Sequence, residues 1–152
     1  MSKKIVYIDM DGVLVDLHTK IAEYPPDVVQ QFEQLDLVDQ MPTLFLDPDP
    51  MPGAVEAFKQ LTESDKYDCY ILSTAPWENP QAWMHKRLWV EEYLGEGAWK
   101  RLILSHNKHL CAGDYLIDDR TKNGAGEFTG ELIQFGTDKY PDWSAVLEYL
   151  KP

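Results

Sequence analysis

Short strand-like apolar runs alternate with segments of helical spacing along most of this chain, and this alternation constrains the fold more than any other feature. We predict strands at residues 3–8, 68–72, 101–104, 115–117 and 131–135. Helical spacing is clear at residues 53–63, 80–93 and 143–150. Strands that alternate with helices favour a three-layer, Rossmann-like α/β fold in which helices flank a parallel sheet.

The segment between the first two predicted strands departs from this pattern. Residues 18–24 and 26–37 have helical spacing, and the proline-rich stretch MPTLFLDPDPMPG follows at residues 41–53. Its prolines exclude a long regular element, so we expect an ordered loop or hinge there. We therefore predict a core domain formed by residues 1–15 and 53–152, with a small helical cap insert at residues 16–52.

Charge and composition limit the partners of the chain. The formal net charge is −12, which disfavours binding of nucleic-acid polymers because such binding needs basic patches. No apolar run approaches the roughly 18 residues of a membrane span, and the N-terminus does not resemble a signal peptide. Cys69 and Cys111 are the only cysteines, and we expect reduced thiols. These features predict a cytoplasmic protein without membrane contacts; the oligomeric state stays open, a homodimer included.

Polar side chains gather where the predicted strands end. In an open parallel sheet the carboxyl ends of the strands share one edge, and ligands bind outside that edge. The residues concerned follow the first four strands in turn: Asp9 and Asp11, Ser73 and Thr74, Lys108, and Asp118 and Asp119. Crowded carboxylates repel one another, so a cation must hold them ionised. Mg²⁺ fits, because it binds carboxylates together with substrate phosphate and water.

The first acidic pair has the spacing that phosphoryl transfer needs. A carboxylate fixed at a strand end, such as Asp9, can attack phosphorus in line, and Asp11, two residues on, can pass protons. Gly12 leaves room for the backbone to approach the phosphate. Mg²⁺ and Lys108 together would neutralise the transferring group.

These segments resemble the four motifs of the haloacid dehalogenase (HAD) superfamily of phosphotransferases. DMDGV at residues 9–13 resembles the first motif, DxDG(T/V), and YILST, NK and YLIDD follow in the order of the other three. Within the superfamily the chain is most similar to the 5′(3′)-deoxyribonucleotidases. That similarity lies in PMPGAVEAFKQL, LSTAPWENP, KRLWVEEYLG and LIDDRTKN.

The resemblance implies a role for each motif residue. Asp9 would be the nucleophile that forms an aspartyl-phosphate, and Asp11 would protonate the leaving oxygen and then activate water. Thr74 and Lys108 would contact the phosphoryl group, and Lys86 would be a second cation near it. The substrate would be a small phosphomonoester, a deoxynucleoside or nucleoside monophosphate.

The resemblance also implies a ligand set for Mg²⁺. The Asp9 carboxylate, the Asp11 carbonyl and one acid of the fourth motif would bind the ion. Of the two acids in that motif we favour Asp119 as the direct ligand, with Asp118 orienting it or holding Lys108.

The chain departs from the family pattern in two places. The insert at residues 16–52 is shorter than the helical cap that closes over the nucleoside in the family. Phe45 and Trp77 are candidates for stacking on a base, but either ring could instead pack the insert onto the core. Ala75 occupies a position where the better-known nucleotidases have a hydroxyl, so one phosphate contact is expected to be missing.

Other functions fit parts of the pattern. The same centre could hydrolyse another small phosphoester, such as a sugar phosphate. A phospho-accepting receiver-like domain also gathers acids, a threonine and a lysine, but its acceptor follows the third strand, where this chain has Ser105. A catalytically silent binding domain is a further alternative.

Several of these residues also have ordinary structural explanations. Thr74 could be a strand-end residue, Lys108 and Lys86 could be solvated, and Asp118 with Asp119 could cap a loop. The spacing HNKHLC at residues 106–111 lacks a fourth ligand and argues against zinc.

Overall fold

A computed structural model describes residues 2–152, and a five-stranded parallel sheet forms its centre. The strands are β1 (Lys4–Ile8), β2 (Tyr67–Ser73), β3 (Leu102–Leu104), β4 (Tyr115–Asp118) and β5 (Glu131–Gln134). Their order in the sheet is β3-β2-β1-β4-β5, and every neighbouring pair is parallel. The predicted α/β fold with a parallel sheet is therefore confirmed.

Five α-helices accompany the sheet: α1 (Leu17–Ala22), α2 (Pro26–Gln34), α3 (Ala54–Glu63), α4 (Pro80–Leu94) and α5 (Trp143–Leu150). The last three pack with Val6 and Ile8 of β1 in the larger apolar cluster. Tyr7 points to the opposite face of the sheet, as successive strand residues must, and packs there with Phe128 in a smaller cluster. Helix α2 ends earlier than predicted, because Asp36 takes a left-handed backbone conformation at φ 55°.

The segment between β1 and α3 has its own apolar cluster. Met41, Leu44 and Phe45 are buried there, against Ala82 of α4. The proline-rich stretch is ordered by contacts with the rest of the chain, as expected. The Trp89 indole donates a hydrogen bond to the carbonyl of Pro48 (2.7 Å).

No helix within residues 2–152 has the length and apolar character needed to cross a bilayer.

Two buried tyrosine hydroxyls allow a matched test of the larger cluster. Within the described residues, the Tyr140 hydroxyl has no hydrogen-bond partner, whereas the Tyr67 hydroxyl donates to the Leu150 carbonyl. We expect Tyr140→Phe to raise the free energy of unfolding by about 1 kcal/mol, because it removes an uncompensated polar group. Tyr67→Phe should lower it by about 1 kcal/mol, because it breaks a bond that is made. Urea denaturation measures both, and a destabilised Tyr140→Phe variant would contradict the argument.

Candidate active site

Strand β1 delivers Asp9 to the carboxyl end of the sheet, and a tight turn follows it. The Asp9 side chain is buried, and its backbone N–H donates to the Ile117 carbonyl of β4 (2.9 Å). Gly12 has φ 80°, in the region that favours glycine. A Cβ atom there would lie 2.2 Å from Asp119 Oδ2, so this turn brings backbone directly against the fourth-motif acid.

Lys108 lies buried between two carboxylates. Its ammonium group donates to Asp9 Oδ1 (3.0 Å) and to Asp118 Oδ2 (2.6 Å). The other oxygen of Asp118 accepts a hydrogen bond from the backbone N–H of Arg120 (3.0 Å). Both oxygens of Asp118 therefore have partners within the protein.

Asp119 differs from Asp118 in the partners of its carboxylate oxygens. Its Oδ1 atom is buried and has no hydrogen-bond partner among the described residues. Asp9, Asp118 and Asp119 each offer a carboxylate oxygen, and these oxygens lie within 4.8 Å of one another. An orphaned carboxylate oxygen beside two further carboxylates is a donor set that suits a hard divalent cation.

The electrostatics of the cluster also favour a cation. Burial raises the pKa of Asp9 well above its usual range, and the attraction of Lys108 only partly offsets this effect. Burial likewise raises the pKa of Asp119. Burial alone would lower the Lys108 pKa, but the carboxylates of Asp9 and Asp118 outweigh it and the pKa is raised. Lys108 therefore stays charged, and the cluster needs more positive charge than it provides to keep Asp9 ionised.

Asp11 is held by a second buried lysine. Lys86 of α4 donates to Asp11 Oδ2 (2.7 Å) and to the Ser73 hydroxyl (2.8 Å). The Phe45 ring lies 4.8 Å from the same ammonium group and supplies a cation–π contact. Lys86 is only 1% exposed, so the alternative of a solvated helix face is wrong.

A cleft of about 630 Å³ opens above these groups, between the strand ends and the insert. Asp11, Gly12, Thr74 and Asp119 line it from the core side. Its other lining residues come from the insert and from the loops after β2, β3 and β4, and include Leu17, His18, Ile21, Leu44, Phe45, Trp77, His106, Arg120 and Asn123. A cleft of this size can hold a small organic phosphate.

Sequence comparison identifies the family. Residues 26–141 match the family model described as 5′ nucleotidase, deoxy (Pyrimidine), cytosolic type C protein. A protein of Vibrio phage KVP40, provisionally assigned as a 5′(3′)-deoxyribonucleotidase, is 58% identical over 148 residues, which cover 97% of this chain and 85% of the phage protein. The chain belongs to the 5′(3′)-deoxyribonucleotidase family.

Other similar proteins are more distant in sequence. The human cytosolic 5′(3′)-deoxyribonucleotidase is 26% identical, and the match covers 93% of this chain and 78% of the human protein. The crystal structure of YfnB from Bacillus subtilis, provisionally assigned as a HAD-hydrolase and bound to magnesium, superposes with a TM-score of 0.62 at 11% identity and covers 100% of both chains. This likeness confirms the HAD-like fold.

Family membership makes the chain a phosphomonoester hydrolase, and the receiver-like and catalytically silent alternatives lose their support.

Three further residues that the sequence predicted for the site, Thr74, Ala75 and Trp77, lie on the loop after β2. Thr74 lines the cleft, and its hydroxyl donates a hydrogen bond to the Ser105 carbonyl (2.8 Å). Ala75 is fully buried, so its side chain is not accessible to a ligand. Trp77 lines the cleft and is 73% exposed.

Sequence reasoning missed two residues around this site. Its place at the end of β2 gives Ser73 no role by itself, yet its hydroxyl accepts a hydrogen bond from Lys86. His106 lines the cleft from the loop after β3. Its position directly beyond a strand end was the available signal.

Proposed function

We propose that this chain is a Mg²⁺-dependent 5′(3′)-deoxyribonucleotidase that hydrolyses deoxynucleoside monophosphates through a phospho-aspartate on Asp9. One observation carries the proposal: Asp9 lies buried against Lys108, and the acid two residues on, Asp11, is held by Lys86 at the floor of a cleft. A nucleophile and a proton-transfer group are thus fixed side by side in a member of a nucleotidase family.

The reaction takes place in two steps. The Asp9 carboxylate attacks phosphorus, the bond to the ester oxygen breaks, and Asp11 gives its proton to that oxygen as the nucleoside leaves. Asp11 then takes a proton from water, which attacks phosphorus and releases inorganic phosphate with Asp9 restored. Lys86 orients Asp11 for both transfers through the bond to Oδ2.

The carboxylate cluster supports Asp9 and Asp119 as side-chain ligands of Mg²⁺. The Asp11 backbone carbonyl is the third ligand in this proposal, as the resemblance to the HAD superfamily implies. Asp118 is the weaker candidate, because Lys108 and the Arg120 backbone already occupy its oxygens. When bound, Mg²⁺ supplies positive charge that keeps Asp9 ionised and offsets the charge of the phosphoryl oxygens.

Residues 16–52 act in this proposal as the cap over the cleft, and residues 1–15 and 53–152 as the catalytic core. The cluster of Met41, Leu44 and Phe45 rests on Ala82 of α4. The Asn79 side chain, just before α4, also donates to the Asp39 carbonyl (3.0 Å). These contacts attach the cap to the helix that carries Lys86.

Hydrolysis of a substrate panel tests the proposal. We expect release of phosphate from deoxynucleoside 5′- and 3′-monophosphates, with much lower kcat/KM for sugar phosphates. EDTA should abolish the activity and added Mg²⁺ should restore it, because Asp9 needs the extra charge to ionise. Equal kcat/KM for nucleotides and sugar phosphates would replace the nucleotidase by a general phosphatase. Full activity in EDTA would exclude the metal.

A further inference from the structure

Trp77 leaves most of its indole ring in solvent at the mouth of the cleft. It is 73% exposed, although a tryptophan ring gains more than most side chains from burial. A large apolar ring exposed beside a reaction site is typical of a surface that binds a ligand.

The ring is nevertheless held in place by two aromatic neighbours. Its centroid lies 6.2 Å from that of Trp83 and 6.1 Å from that of His106, in edge-on arrangements. Trp83 and His106 are also 6.1 Å apart, so the three rings support one another. The Trp83 indole donates to the Pro76 carbonyl (3.1 Å), which fixes the backbone immediately before Trp77.

Two of these rings face the reaction site. Trp77 and His106 both line the cleft that contains Asp11 and Asp119. Trp77 lies three residues after Thr74 on the loop that follows β2, and His106 lies two residues before Lys108 on the loop that follows β3. The rings are therefore held by the same short loops as the phosphate-site residues.

The insert offers no exposed tryptophan, tyrosine or phenylalanine ring at the cleft. Phe45 is the only phenylalanine, tyrosine or tryptophan of residues 16–52, all of which the structure describes, that lines the cleft. His18 of the insert also lines it, but among the described residues its ring has no aromatic neighbour, whereas His106 packs against Trp77 and Trp83. It is only 4% exposed, and one face covers the Lys86 ammonium group. A base therefore has little of Phe45 to stack on.

We propose that Trp77 and His106 form the platform on which the base of the substrate stacks. The loops after β2 and β3, rather than the cap, would then contact the base. This inference rests on the proposed function and sharpens it, because a ligand recognised by stacking must carry an aromatic base. Phe45 instead acts as a cover for Lys86.

Kinetics on two substrates test the platform: thymidine 5′-monophosphate, and 2-deoxyribose 5-phosphate, which lacks the base. Loss of a base-stacking aromatic typically reduces binding roughly 5- to 150-fold, so Trp77→Ala should lower kcat/KM for the nucleotide by about that factor, mostly through KM. It should leave kcat/KM for the base-free substrate unchanged. His106→Ala should act in the same direction, and Trp77→Phe and His106→Phe should retain most of the wild-type value.

Trp99 provides the matched control. It is 69% exposed, lies outside the cleft, and has the Lys100 ammonium 4.3 Å from its ring. Trp99→Ala should leave both substrates unaffected. An equal loss for both substrates in Trp77→Ala, or no loss for either, would overturn the platform. Failure of the wild-type protein to hydrolyse the nucleotide would instead overturn the proposed function.

Discussion

The Asp9→Asn variant is expected to lose hydrolysis of deoxynucleoside monophosphates by about 10⁴-fold or more, because the amide cannot form the phospho-enzyme. The substitution changes one atom of a side chain at the end of β1. Phosphate release under saturating nucleotide and Mg²⁺ measures the loss. Trapping of a phosphorylated chain by acid quench should succeed with the wild type and fail with the variant.

Asp68 supplies a control within the same sheet. It is part-exposed on β2 and pairs with Arg101, away from the cleft. Asp68→Asn should keep turnover close to the wild-type value. Near-normal turnover in Asp9→Asn would remove the phospho-aspartate mechanism, whatever the substrate.

The same variant gives a second, independent readout of Asp9 burial. The Asp9 pKa is raised in the folded state, whereas the unfolded chain has an ordinary value near 3.8. Its contribution to stability is therefore fully present below pH 3.8 and is lost as the pH rises toward the folded-state pKa. In EDTA, the difference in Tm between Asp9→Asn and wild type should shift in favour of the variant from pH 4 upward. Added Mg²⁺ should reduce that shift.

The fold and the position of the site could be predicted from local sequence because each depends on a local pattern. Strand residues follow from short apolar runs, and parallel pairing brings the strand ends to one edge. Asp9, Asp11 and Asp119 could therefore be named from their place after β1 and β4. Thr74 likewise lies at the cleft because it directly follows β2.

Local patterns do not predict all the partners of these residues, because some of the contacts join distant parts of the chain. Lys86 lies between His85 and Arg87, in a helix whose sequence gives no sign that a charged side chain is buried. Its carboxylate partner, Asp11, is 75 residues away. Local sequence also cannot decide whether Phe45 or Trp77 is available to stack on a base. Only the packed structure shows that Phe45 is covered and Trp77 is exposed.

Replacing Lys108 by methionine should affect both activity and stability more than any other change of a basic residue in the site. The side chain is 4% exposed and its ammonium group bonds two buried carboxylates. Removing one partner of a buried ion pair typically costs about 3–5 kcal/mol, because the remaining charge stays desolvated. Turnover should fall by about 10³-fold or more, since loss of one preorganised charge-stabilising group costs about 10²–10³ and Asp9 also loses its orientation.

Two companion variants test whether the effect of Lys108→Met comes from the carboxylates that lose their cation. Lys59 is exposed on α3, so Lys59→Met should change neither stability nor turnover. Combining Lys108→Met with Asp118→Asn removes one of the stranded carboxylates and should recover part of the unfolding free energy without restoring turnover, because Asp9 still lacks its cation. Urea denaturation and steady-state kinetics on the four proteins measure both effects. If Lys108→Met were as stable and active as Lys59→Met, the buried lysine could not be the group that holds the Asp9 carboxylate in place.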